Sequence, residues 1–272
     1  MKIGYTLWTW LMDEHNEWKP MSPNGKRNFE QSLREVSDLN YDVFENFNVI
    51  VGFYEDNPKE FDDLVKKYGV KFVNIYHYFK DNFDDDLAFG ERCLKFAKTH
   101  GVKLMNIQAP GWPEGGTTEK DLKDLVDKLT ILGKLSRKYD VDLCLHPHYG
   151  TTVFYEHEID YIVERIKPDI VNLCMDTAHT MLGKMDPVKA FAKYIKRIKY
   201  VHLKDVDITP HDNPMRAFRA LGEGVIDFKG VVNVLKQGGY DGVLCVECDY
   251  QRVCNYATAM VSRDYIHRVL GM

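Results

Sequence analysis

No stretch of the 272-residue chain approaches the roughly 18 consecutive apolar residues that a membrane-spanning helix needs. The opening segment, MKIGYTLWTWLMDE, has one lysine and meets a charge too soon for the apolar region of a signal peptide. The expectation is a cytoplasmic protein with no membrane partner. A basic excess is missing too: 36 Lys and Arg face 41 Asp and Glu, and the net charge is -5, with both signs interspersed. A phosphate backbone would be repelled on average, so no nucleic-acid partner is expected. Cysteine is sparse, at six residues, and the one CxxC (Cys245, Cys248) has no second pair to complete a zinc site. It lies inside VLCVECDY, which reads as a strand, where residues three apart point to opposite faces. Reduced, mostly buried thiols are the expectation.

What is present is a full core: 44% of residues are hydrophobic and 28% charged. Short apolar runs recur eight times: KIGYTLW at the start, DVFENF from Asp42, KFVNIYHY from Lys71, KLMNIQA from Lys103, DLCLHPH from Asp142, IVNLCMD from Ile170, IKYVHLKD from Ile198 and GVLCVECD from Gly242. Between them the apolar positions take helical spacing, as in Phe61, Leu64, Val65 and Tyr68, in Leu122, Leu125, Val126, Leu129 and Leu132, and in Val188, Phe191, Ile195 and Ile198. Asn57-Pro58-x-Glu60 predicts a helix start with a capping box, and Asp186-Pro187 a second start. Eight strand–helix units with no leftover segment predict one domain over residues 1–272, a single (β/α)8 TIM barrel of the α/β class, in preference to an open doubly wound sheet. The helix-to-strand joins are tight. Long strand-to-helix joins run from about Thr9 to Lys26, Gln108 to Thr118 and Lys204 to Asp227, carrying Trp10, Trp18, Trp112, His211, Arg216 and Arg219. In a barrel these loops gather at the C-terminal mouth, where sites are built.

The last four strands break into polar residues at the same relative height. The fifth ends at His146 and His148, the sixth at Asp176 with His179 beyond it. The seventh ends at His202, Lys204 and Asp205, and the eighth at Glu247 and Asp249. Alternation places Cys144, Cys174 and Cys245 one layer beneath three of these. One strand-end histidine is ordinarily a hydrogen-bonded scaffold residue. Two imidazoles and two carboxylates in register predict a metal site, His146, Asp176, His202 and Glu247. Mixed nitrogen and oxygen donors suit one divalent ion, Mn²⁺ first, then Co²⁺ or Zn²⁺, with Mg²⁺ less suited to the nitrogens.

In order and spacing, LCMDTAH, YVHLKD, LGEGVIDF and LCVECD resemble the xylose isomerase-like TIM-barrel superfamily of sugar isomerases, epimerases and dehydratases. The resemblance runs from GYTLWTW to VECD. It implies one divalent metal held by a glutamate, an aspartate, a histidine and a glutamate on strands five to eight. Asp176, His202 and Glu247 match, but His146 stands where the first glutamate would be. HPHYGT and LGEGVIDF are most similar to the inosose dehydratases in that superfamily, although the loop from Val206 to Ala220 looks shorter. The resemblance also points to a homo-oligomer.

An ion with two negative ligands in place of three is more electrophilic, which favours enolate chemistry beside a carbonyl. The expected function is proton abstraction next to the carbonyl of a keto-sugar or keto-cyclitol, followed by β-elimination, as in an inosose dehydratase-like lyase. The alternative is a sugar or sugar-phosphate isomerase or epimerase on the same scaffold, which shares the enolate step but loses ground without the strand-five glutamate. A nuclease would need more metal ligands and a basic groove, and a non-catalytic barrel would not need four competent ligands. Catalytic candidates are His148, as a base or acid, with Glu247 and Lys204. Candidates for binding the substrate are Glu45, His77, Gln108, Trp112, His179 and Arg219. His148 could instead hold its loop through a backbone hydrogen bond, and Lys204 could pair with Asp205 or Glu247.

Overall fold

The computed structural model of the chain describes residues 1–12, 24–80, 82–209, 211 and 214–272. Eight parallel strands close into a barrel: β1 (Lys2–Thr6), β2 (Val43–Phe47), β3 (Lys71–Tyr78), β4 (Leu104–Gln108), β5 (Asp142–His146), β6 (Asn172–Asp176), β7 (Ile198–Leu203) and, last in the ring, β10 (Val243–Val246), which pairs with β1. All eight apolar runs are strands. β3 has the bounds read from the sequence; the others are shorter, β5, β7 and β10 because their polar tails leave the ladder at the mouth, and β2 and β6 at their N-terminal ends. Between β7 and β10 a two-stranded antiparallel ribbon, β8 (Asp205–Val206) with β9 (Phe218–Arg219), closes over that mouth.

The helices cover the outside because each has one apolar face. In α5 (Glu119–Lys138), Leu122, Leu125, Leu129 and Leu132 are buried, each contributing about 1.5–3 kcal/mol of transfer free energy. Gly133 lets this helix approach the chain before β6 closely, since a Cβ there would lie 2.6 Å from the Ile170 carbonyl oxygen. The spacing through Val188, Phe191, Ile195 and Ile198 runs past its helix, α8 (Pro187–Tyr194), and Ile198 belongs to β7. Asp186 does cap α8, accepting from the Lys189 amide. The start of α3 (Pro58–Tyr68) differs from expectation. Pro58 occupies the first turn, but the Asn57 side chain donates to Glu60 at 3.2 Å and caps no backbone amide. A capping box forms instead at Thr118 and Asp121 on α5. Among the described residues no helix is long and apolar enough to cross a membrane.

Below the mouth the lumen is floored by Val43, Cys144, Cys174, Tyr200, Val243 and Cys245, with Val73 and Leu104 against them. The three cysteines thus fill the layer that alternation assigned to them. All six thiols are free, and only Cys254 is exposed. Burial pushes Cys174 and Cys248 up to about 12, so neither thiol is a ready nucleophile at neutral pH.

The LGEGVIDF segment has a structural task. The Asp205 carboxylate, buried after β7, accepts from the backbone amides of Val206, Gly222 and Gly224 at 2.9 Å and of Ile226 at 3.2 Å. Gly222 has φ +87°, and a Cβ on Gly224 would lie 2.3 Å from Asp205 Oδ1. Asp205 therefore faces this nest and is not the partner of Lys204.

Candidate metal centre

At the C-terminal end of the barrel, β5, β6, β7 and β10 bring His146, Asp176, His202 and Glu247 together. Each offers one donor atom, and these atoms lie within 4.8 Å of one another, all buried. His146 Nε2, Asp176 Oδ2, His202 Nδ1 and Glu247 Oε2 are also buried polar atoms with no well-aligned hydrogen bond, although the Lys204 ammonium forms an ion pair with Glu247 Oε2. Unsatisfied buried groups are costly, and four donor atoms sharing one small volume fit a divalent cation. Their other polar atoms are engaged. Asp176 Oδ1 accepts from the His179 amide at 2.8 Å, and Glu247 Oε1 from Trp8 Nε1 at 3.0 Å. His146 Nδ1 meets the Tyr76 hydroxyl at 2.7 Å, and that hydroxyl donates to Gln108 Oε1 at 2.7 Å. If His146 Nδ1 carries the proton, Tyr76 accepts it and Nε2 is left bare, the state a metal ligand needs.

Lys204 Nζ, wholly buried, lies 2.9 Å from Glu247 Oε2, 3.0 Å from Asp249 Oδ2 and 3.6 Å from Asp176 Oδ2. Burial opposes its charge, but Asp249, Glu247 and Asp176 outweigh burial and raise its pKa. Burial likewise favours neutral Asp176 and Glu247, and Lys204 with the nearby imidazoles overcomes this, lowering both. For His202 burial is outweighed by Cys174, Glu45 and Glu247, and the pKa rises. His146 is pushed down to about 4, chiefly by burial. His148, pushed down to about 3 by burial, His146 and Lys204, is neutral as well.

His148 does make the backbone contact weighed above, Nδ1 to the Tyr149 carbonyl at 2.6 Å, which leaves Nε2 as an acceptor. Its ring packs 3.9 Å from that of His179, and His148, His179 and Asp249 form a second cluster of donor atoms. His179 is buried, with Nε2 3.2 Å from Lys204 Nζ. Phe218 of the ribbon covers Lys204, whose Nζ lies 4.8 Å from the ring centre.

The other residues expected to bind substrate are placed differently. Glu45 is fully buried behind His202, with Oε1 2.9 Å from His202 Nε2, and receives Asn106 Nδ2 at 2.6 Å. Both oxygens are occupied, which corrects its expected role as a hydroxyl binder. His77 is turned out of the lumen toward the Asp86 carbonyl and Asn48 Nδ2, both at 2.8 Å, because Tyr76 takes the inward position on β3. Gln108 stands at the mouth as the acceptor of Tyr76. Arg219 is tied within its own loop to Asp207 and to the carbonyls of Arg216 and Phe218. Trp112 sits on the rim, edge to face with Tyr149 at 4.9 Å. Trp10 belongs to the core, bonded to Glu35, and His211 pairs with Asp207 at 2.8 Å. Arg216 is exposed, and Trp18 lies outside the described residues.

Tyr76 and Asn106 were missed. The only sequence signal for Tyr76 is its place beside His77 in an alternating strand, and a register shift between Phe44 and Glu45 prevents the phase being carried from β2 to β3.

A family model described as xylose isomerase-like TIM barrel matches residues 33–264. An inosose dehydratase of Clostridium tetani is 37% identical over 163 residues, which is 55% of this chain and 55% of that protein, so the match spans about half of that relative. An inosose dehydratase of Geobacillus thermodenitrificans is 33% identical over an alignment covering 100% of this chain and 98% of that one. The crystal structure of IOLI protein with a binding zinc atom has the same fold, with a TM-score of 0.77 at 20% identity, covering 100% of this chain and 98% of that one. Because the family match takes in seven of the eight barrel strands and every proposed ligand, the chain belongs to the xylose isomerase-like TIM barrel family.

Proposed function

We propose that the protein is a divalent-metal-dependent lyase of the dehydratase kind, acting on a keto-cyclitol or keto-sugar. The observation that carries the reading is the convergence of four buried donor atoms on His146, Asp176, His202 and Glu247, set beside a buried ammonium and a neutral imidazole. The names and coverage of the similar dehydratases support the reaction class. Two nitrogens and two oxygens suit Mn²⁺, with Co²⁺ or Zn²⁺ as substitutes. When bound, such an ion supplies Lewis-acid stabilisation of charge developing on a carbonyl oxygen.

The chain's own residues supply the rest. His148 Nε2, neutral and not engaged by the backbone, accepts the proton from the carbon beside the carbonyl. Lys204 stays charged, so it acts as a fixed hydrogen-bond donor to a substrate oxygen and not as a proton source. The electron pair of the broken C–H bond forms the new C=C bond, and the hydroxyl on the next carbon leaves as water with the proton that His148 took, which returns His148 to its neutral form. His179 and Asp249 pack against His148 and Lys204 and hold them. Phe218 helps exclude water.

The test is turnover of keto-inositols and 3-keto-glycosides by manganese-loaded protein in deuterated water. A product lighter than the substrate by one water supports the reading. Deuterium incorporation with an unchanged formula points to isomerisation or epimerisation. Equal activity of wild type and Glu247→Gln would refute the site.

A further inference from the structure

We infer that Glu45 is a positioning residue which sets the tautomer of His202, leaving Nδ1 bare toward the cation. The inference rests on the metal reading above and deepens it. Nδ1 of the buried His202 ring lies 3.0 Å from Glu247 Oε2 and 3.9 Å from Asp176 Oδ2. The opposite nitrogen, Nε2, lies 2.9 Å from Glu45 Oε1. A carboxylate accepts the hydrogen bond of an imidazole N–H, so with Glu45 ionised Nε2 carries a proton, and once the ring is neutral its lone pair lies on Nδ1. Glu45 cannot turn away, because its second oxygen accepts Asn106 Nδ2 at 2.6 Å. Asn106 is anchored in turn, its backbone amide donating to Asn74 Oδ1 at 3.1 Å. Glu45 of β2, Asn106 of β4 and Asn74 of β3 thus form a buried polar chain that reaches the centre through His202. A fully buried carboxylate is costly unless it is hydrogen-bonded, and here each of its two oxygens has one donor.

Glu45→Gln tests the orientation with almost no change in shape. The Asn106 amide group still needs an acceptor, so it keeps the glutamine carbonyl. The glutamine NH₂ then faces His202 Nε2, which must accept, and a proton moves to Nδ1, pointing into the centre. Cobalt affinity should fall about 10- to 100-fold. The ¹⁵N shifts of His202 in metal-free protein, at a pH where the ring is neutral, should change from the Nε2–H to the Nδ1–H pattern. The double variant Glu45→Gln/Asn106→Asp exchanges carboxylate and amide. The glutamine NH₂ then donates to the introduced aspartate and its carbonyl turns to His202, so affinity and the original tautomer should return. Unchanged cobalt affinity in Glu45→Gln overturns the inference. So does a loss that the double variant, folded by circular dichroism, does not recover. If wild type binds no cobalt, the metal reading falls separately, and the ¹⁵N pattern still decides the role of Glu45.

Discussion

Replacing Lys204 by methionine should destabilise the metal-free protein and at the same time tighten its grip on a cation. In the folded chain this ammonium is wholly buried against Glu247, Asp249 and Asp176, at 2.9, 3.0 and 3.6 Å. Removing one partner of a buried ionic group typically costs about 3–5 kcal/mol, because the remaining charges stay buried. That is a large share of a domain stability of roughly 5–15 kcal/mol. A divalent ion would use two of the same carboxylates, so the ammonium and the ion repel each other. At a separation of about 4 Å and an effective dielectric of about 20, the ammonium repels each unit of the ion's charge by roughly 4 kcal/mol. Removing one unit of that repulsion allows about 1,000-fold tighter binding, with tenfold the smallest gain that supports the argument. Urea unfolding with and without manganese reads both effects. A ligand at about 100 times its dissociation constant adds about 2.7 kcal/mol, so manganese should recover a larger part of the stability in Lys204→Met than it adds to wild type at the same concentration. Turnover should be lost, since the fixed donor to substrate is gone. The reasoning is refuted if the variant is as stable as wild type without metal, or if it binds manganese no more tightly.

Other outcomes follow from the same geometry. Tyr76→Phe removes the acceptor for His146 Nδ1–H and should weaken cobalt binding about tenfold, read by titration of the visible cobalt spectrum. Gly224→Ala would place a Cβ 2.3 Å from Asp205 Oδ1; opening the nest should cost about 2–4 kcal/mol in urea unfolding, whereas Glu223→Ala, on the exposed side of the same loop, should cost under about 0.5 kcal/mol. His148 has its folded-state pKa pushed down to about 3. Between that value and the unfolded value of about 6.5 the unfolded chain binds one more proton, so this group loses stability as pH falls, by roughly 1.4 kcal/mol per unit. His148→Gln should therefore gain on wild type as pH drops from 6.5 to 5, and parallel stability curves for the two proteins would count against a neutral His148 in the folded chain.

The sequence by itself determined the barrel and the convergence of the four candidate ligands on one rim. Eight apolar runs separated by helical spacing have few ways to bury both kinds of surface, and the parallel barrel is one of them. The convergence of His146, Asp176, His202 and Glu247 was legible because each lies at the end of an apolar strand, and parallel strands all deliver their C-terminal ends to one rim. Tertiary structure alone decided what stands behind and around those ligands. Side-chain parity within a strand can be read from alternation, but the phase between strands cannot once registers shift, as they do between Phe44 and Glu45 and between Leu173 and Cys174. For that reason Tyr76 and not His77 reaches His146, and Glu45 supports His202 where a substrate contact was expected. The loops were harder still. Arg219 reads as a free cation at the mouth, yet its partner Asp207 is brought to it by an antiparallel ribbon, and that pairing arises from chain reversal in three dimensions, which no local pattern in the sequence encodes.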